Sequence, residues 1–203
     1  MLLVPGKITG HVKIFDPITQ EVLVDKFNAI HYENMSEALA SSISNKGTGY
    51  IYEMHFGNGG TSIDGTTGVI NYLPPISTGA NADLYNKTYF KIVDDTSSAN
   101  TDPTRNKIEV KHTVGLRYTD IFVTCLLDFG EPSGQNPFDN LSKTDSVYTF
   151  DELGLKSRTG ANASDRKLLT HVVFHPVQKS LNRLIQIDYT VRIQTLTNLS
   201  TNA

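Results

Sequence analysis

At 203 residues, with a formal net charge of −3, one cysteine, no Trp, 38% hydrophobic and 19% charged residues, the chain suits a single domain with a full core. The charge balance supplies no global field to recruit nucleic acid or anionic lipid, and the lone cysteine excludes an intrachain disulfide. Charged residues fall below the usual ~25%, and Ser, Thr and Asn take up the difference, a composition of strands and turns rather than of helical bundles.

Met1-Leu2-Leu3-Val4 is apolar but stops at Pro5-Gly6, short of the about 7–15 residues of a secretory core. No stretch approaches the ~20 apolar residues of a membrane span. Synthesis and folding in a cytoplasm is the expectation, which makes the Asn-x-Ser/Thr triplets at Asn34, Asn86, Asn140, Asn162 and Asn198 chance products of composition. Residues 8–30 alternate around a turn at Asp16-Pro17-Ile18-Thr19-Gln20 and predict a hairpin. One helix is predicted near residues 34–45. Asn34 would be its N-cap, Glu37 the capping-box partner, Met35, Ala38, Leu39 and Ile43 its apolar stripe, and Asn45-Lys46-Gly47 its stop.

Strands are predicted at 50–56, 87–93, 107–112, 118–129, 147–155, 168–174 and 184–193. Tyr118 to Phe129 is apolar on both faces and reads as central; Pro176 breaks the segment that contains His171 and His175. The connecting loops 57–87, 94–106 and 131–145 are longer than folding requires. These elements predict an all-β, mostly antiparallel β-sandwich with one short helix, a single domain over residues 1–196 and a flexible tail over 197–203.

The Gly-rich stretch Gly57-Asn58-Gly59-Gly60 raises the question of a phosphate or metal loop. A phosphate loop feeds a helix and ends in Gly-Lys-Ser/Thr. Here no Lys lies between Lys46 and Lys87, Pro74-Pro75 forbids a helix, and Asp64 is the only nearby carboxylate for a cation. A turn is the expectation. His171 and His175 have a metal-like spacing, but the strand sequence between them would hold the rings roughly 13 Å apart. Asp151 and Glu152 are adjacent on a strand and should face opposite sides. Asp94-Asp95 and Asp139 read as solvated loop acids, and Ser36, Ser146 and Ser180 lack a nucleophile-elbow setting. Cys125 sits in an apolar run and reads as a buried, inert thiol. Arg166, Lys179, Arg183 and Arg192 read as charges on solvated strand faces. No catalytic, cofactor or metal site is expected.

The last strand alternates Leu184, Gln186, Asp188, Thr190 and Arg192 with Ile185, Ile187, Tyr189, Val191 and Ile193. The second set should face the core. The first should face solvent or a neighbouring subunit, which makes Arg192 a candidate interface residue.

The order of features, from "NAIHYENMSEALASSIS" through "MHFGNGGT", "YLPP", "FDELGLKSRTG" and "LLTHVVF" to "LIQIDYTVRIQ", resembles the β-rich virion structural proteins of tailed bacteriophages, those of tail, neck, baseplate and fibre-anchoring components. The matching positions are Phe56 to Thr61, Phe150 to Lys156, Leu169 to Phe174 and Leu184 to Ile193. The resemblance implies a non-enzymatic subunit present in multiple copies in a virion. Its partners would be other virion proteins and copies of itself, with no cofactor, nucleic acid, membrane or small-molecule substrate. The alternatives are a capsid decoration protein and a carbohydrate-binding sandwich module using loop tyrosines such as Tyr72 or Tyr85.

Overall fold

The computed structural model describes residues 6–79, 81–132, 147–160 and 165–195. Among these the chain is all-β with one helix: β1 (Gly6–Phe15), β2 (Val22–Ile30), α1 (Tyr32–Ile43), β3 (Tyr50–Gly57), β4 (Thr61–Ile63), β5 (Ile70–Tyr72), β6 (Lys87–Ile92), β7 (Lys107–His112), β8 (Tyr118–Leu127), β9 (Val147–Arg158), β10 (Arg166–Ser180) and β11 (Ile185–Thr195). Nine strands form one antiparallel sheet in the order β6-β3-β9-β10-β2-β1-β11-β8-β7, curled into a half-barrel. The curl bends at β2. That strand pairs with β1 along most of its length but meets β10 only at Thr170↔Ile30 and His171↔Ala29.

Two arms therefore close on one core. Val12, Ile14, Val123, Ile187 and Tyr189 come from the β1-β11-β8 arm; Met54, Phe56, Phe150, Leu155 and Phe174 come from the β3-β9-β10 arm. Phe150 stacks on Tyr148 and meets Phe56 edge-on, each at 5.4 Å between centroids. A buried polar chain ties the arms. Asn28 Nδ2 donates to Tyr189 Oη at 2.6 Å, and Tyr189 Oη donates to Thr170 Oγ1 at 2.7 Å. Gly10 makes room for it, since a Cβ there would lie 1.9 Å from Asn28 Oδ1. At the far rim Lys91 Nζ of edge strand β6 donates to Leu126 O of β8 at 2.7 Å, drawing the sheet's two ends together.

Several predicted elements shift. The helix is capped three residues early, by His31 instead of Asn34, and begins at Tyr32: His31 Nδ1 accepts from Asn34 N–H at 3.3 Å. The Asn34 side chain turns instead to Leu168 O, and Glu37 reaches Lys167 Nζ rather than the cap. The stop is as expected, with Asn45 and Gly47 at φ +54° and +68°. Pro176 does not break β10. It lies where the register with β9 slips between Val173 and Val177, so its missing N–H costs no ladder bond. β8 is an interior strand but stands next to the edge strand β7 rather than at the centre. The expected loop 94–106 is pinned by Asn100, whose Nδ2 donates to Asp94 O and Asn106 O. Most of loop 131–145, and the predicted tail, lie outside the described residues.

Candidate functional site

The sheet's two outer faces differ. On the β3-β9-β10 arm, residues 57–79 and 81–87 lie over the outer face and contain the small hairpin β4–β5. Two carboxylates hold it there. Glu152, fully buried, accepts from the backbone N–H groups of Gly59 (3.1 Å), Tyr85 (2.9 Å) and Asn86 (2.8 Å). Asp151 accepts from Gly60 N–H and Thr61 N–H, both at 2.9 Å, and from the Thr61 hydroxyl. The Gly-rich stretch does present backbone donors to an anion, as a phosphate loop would, but the anions are the chain's own carboxylates. Gly57 and Gly60 are there for close approach: a Cβ would lie 2.4 Å from Glu152 Oε1 and 2.9 Å from Val173 Cγ1 respectively.

The expectation that Asp151 and Glu152 face apart fails in its consequence. The register slip opposite Asp151 lets both carboxylates engage the same loop. Burial pushes Glu152 up, but the His171 hydrogen bond and the N–H groups outweigh it and hold the carboxyl below its ordinary value. Burial raises Asp151 above its own, against the pull of Thr61 and Gly60.

His171 is fully buried. Its Nδ1 accepts from Ile76 N–H at 2.8 Å, and Nε2 bonds Glu152 at 3.0 Å, so the ring pins a further point of the loop. His175 pairs elsewhere, with Tyr72 Oη at 3.1 Å. Among the described residues no group of three His, Cys, Asp or Glu side chains is placed to hold a metal ion. Glu53, His55, Arg166 and Lys156 complete the buried charge on this face, with the half-exposed Asp83 at its edge. Glu53 bonds His55 at 2.7 Å and Arg166 at 3.0 Å, and Lys156 meets Asp83 at 2.6 Å. Burial lowers His55 and Lys156 from their ordinary values. Cys125 is buried, and desolvation pushes its thiol up to about 12, which leaves it unreactive.

The other outer face, on β2-β1-β11-β8-β7, carries three cross-strand rows. One runs Asp25, Lys13, Asp188, Thr124, Lys107; the next Phe27, His11, Thr190, Phe122, Glu109; the third Thr9, Arg192, Asp120, Lys111. Arg192 lies here, in a bidentate pair with Asp120 (2.7 and 2.8 Å) and over the Tyr118 ring at 3.8 Å. The basic residues read as solvated are in fact committed: Arg183 to Asp16 and Glu21, Arg166 to Glu53, and buried Lys179 to Glu131 O and Ser180 O. Asp94, also read as solvated, is buried and accepts from Thr96 N–H and its hydroxyl. These roles depend on partners more than a hundred residues away in several cases and leave no local sequence signal. The one signal available was the Asp-Glu doublet paired with a glycine turn that had no other anion.

No helix among the described residues is long and apolar enough to cross a membrane. Family models, curated proteins and solved structures yield no match to this chain.

Proposed function

We propose that the protein is a non-enzymatic structural subunit of a tailed-phage virion, assembling in multiple copies in the neck, tail or baseplate. On this reading the two arms of the half-barrel serve as the two layers of a sandwich-type module. The observation that carries the proposal is the hairpin β4–β5 and the chain that follows it. Ile63, Val69, Tyr72 and Leu73 stand 72, 56, 51 and 39% exposed on a loop that five backbone hydrogen bonds fasten to buried carboxylates. Exposed apolar side chains are ordinary when scattered, but clustered on a rigid projection they mark a contact surface. A pre-ordered projection also loses little conformational entropy when it docks. The resemblance in strand and turn order supports the same class.

The test is incorporation. Particles complemented with Ile63→Asp, Val69→Asp protein should lack the subunit, although the purified variant melts as wild type does, since both positions are exposed. Normal incorporation would sink the docking role. Copy number by mass spectrometry of purified particles then separates the locations: six or twelve copies for neck, tail or baseplate, hundreds for a capsid decoration.

A further inference from the structure

The bare face holds a second feature that the assembly reading does not use. Two cavities, of 580 and 310 Å³, lie on it and share His11, Phe122 and Thr190. They are the two halves of one trough. Its axis follows β11 through Asp188, Thr190 and Arg192, which alternate outward and span roughly 13 Å at the rise of a strand. At its middle the small Thr190 is the floor. His11 stands on one neighbouring strand and Phe122 on the other, which places them about 10 Å apart at the usual strand spacing. Phe27, 74% exposed, extends the ring row beside His11, the two rings meeting edge-on at 5.3 Å.

The lining describes the ligand it would accept. The two cavities are lined by three acidic side chains, Glu109, Asp120 and Asp188, and four basic ones, Lys13, Arg105, Lys107 and Arg192, most of them paired: Arg192 with Asp120, Lys107 with Glu109, and Arg105 with Asp102 and Asp128 beside the trough. Such a surface gives no net field to a polyanion or polycation, but it is dense in donors and acceptors. The backbone is not available to an added peptide strand. β1, β11 and β8 are each hydrogen-bonded on both sides, so β-augmentation is excluded along the trough. What remains is an elongated, uncharged ligand, rich in hydroxyls and carrying apolar ring faces to lay on Phe122, His11 and Phe27.

We propose that this trough binds a neutral oligosaccharide chain. The pyranose faces pack on the Phe122 and His11 rings, and the hydroxyls bond Asp188, Thr124, Gln186 and Arg192 along the walls. The trough shares no residue with the β4–β5 hairpin, so a particle subunit could be held by one surface and engage a glycan with the other.

The experiment is calorimetry and array binding of the purified full chain against malto-, cello-, manno- and N-acetylchitohexaose, with a heparin hexasaccharide as the charged control. One neutral series should bind. Phe122→Ala should weaken it by about tenfold or more, the loss of one packed ring. Thr190→Arg, which fills a half-buried floor position on the outer side of β11, should abolish binding at a little-changed melting temperature. Tyr72→Ala and Tyr85→Ala, on the loop, should leave it unaltered. The proposal is overturned if no neutral hexasaccharide binds, if heparin binds best, or if Thr190→Arg binds as wild type. Loss of virion incorporation by Thr190→Arg, with no saccharide bound by wild type, would mark the face as a subunit contact instead. A failure of the Ile63→Asp, Val69→Asp test would leave the saccharide result standing.

Discussion

The two outer faces of the half-barrel belong to one sheet but use charge in opposite ways. Over β3-β9-β10 the chain supplies its own roof, and the charged groups beneath it are buried: Glu53, His55, Asp151, Glu152, Lys156 and His171 are each no more than 5% exposed. Over β1-β11-β8 there is no roof among the described residues, and Arg192, Lys107 and Glu109 remain 42, 35 and 60% exposed. Under the roof a charge needs the donors and acceptors around it satisfied, because desolvation is costly and unpaired groups are more so; of these six side chains His55 alone keeps a buried ring nitrogen, Nδ1, without a partner. On the bare face water covers any shortfall, and each pair contributes little. The first arrangement builds a rigid projection. The second leaves a surface that can change partners. Breaking one group on each face measures the difference.

Glu152→Ala should have the largest effect. It would strand the N–H groups of Gly59, Tyr85 and Asn86 together with His171 Nε2, and removing one member of a buried network costs about 3–5 kcal/mol. Urea denaturation would show it, and amide exchange should show loop 57–87 losing protection first. Glu152→Gln keeps acceptor capacity at one oxygen and should cost less. A Glu152→Ala protein as stable as wild type would mean that the roof is not held by its carboxylates.

The same group sets a pH dependence. Glu152 is held below its ordinary 4.5 in the fold. Its contribution is complete above that value and is lost as pH falls through the folded pKa. Asp151 lies above its ordinary 3.8 and acts oppositely, favouring the fold at low pH and losing that contribution as pH rises through its folded pKa. Glu152→Gln removes the first and leaves the second. The acid-side fall in urea midpoint, followed from about pH 7 to pH 3, should therefore be shallower in the variant than in wild type. An identical slope would place the acid sensitivity elsewhere, in Glu53 or Asp83, whose carboxyls are also held low.

Ile187→Ala probes the core that both faces share. Ile187 is fully buried on the inner side of β11, and such truncations cost about 2–5 kcal/mol. Because it lies behind the trough and not in it, saccharide affinity measured on the folded fraction should not change.

The inner faces were legible in the sequence and the outer ones were not, for a physical reason. Period-two alternation reports burial within one strand, so Ile185, Ile187, Tyr189 and Val191 could be assigned to the core from their spacing, and they are buried. The roof and the trough depend instead on pairing between distant segments. Glu152 meets Gly59 across 93 residues, and His11 comes beside Thr190 only because β1 and β11 are neighbours. Within loop 57–87 the same dependence hid β4–β5, whose three-residue strands are too short to alternate visibly. His31 was missed as a cap because imidazole is an uncommon one.

Arg192→Ala should have the smallest effect, and it tests the bare face directly. The Arg192 side chain is 42% exposed and bidentate to Asp120, 11% exposed, whose carboxyl it holds below the ordinary value. A pair that water reaches contributes ~0–1 kcal/mol, and fork geometry with a largely covered carboxylate places this one toward the upper end. The loss should therefore be about 1 kcal/mol, and a double-mutant cycle with Asp120→Ala should return a coupling of that size or less. Added salt should shrink it further, since screening acts on charges that water reaches. If the cycle instead returned several kcal/mol, insensitive to salt, Arg192 and Asp120 would be behaving like the charges under the roof. The contrast between the faces would fail, and a trough open to a ligand would fail with it.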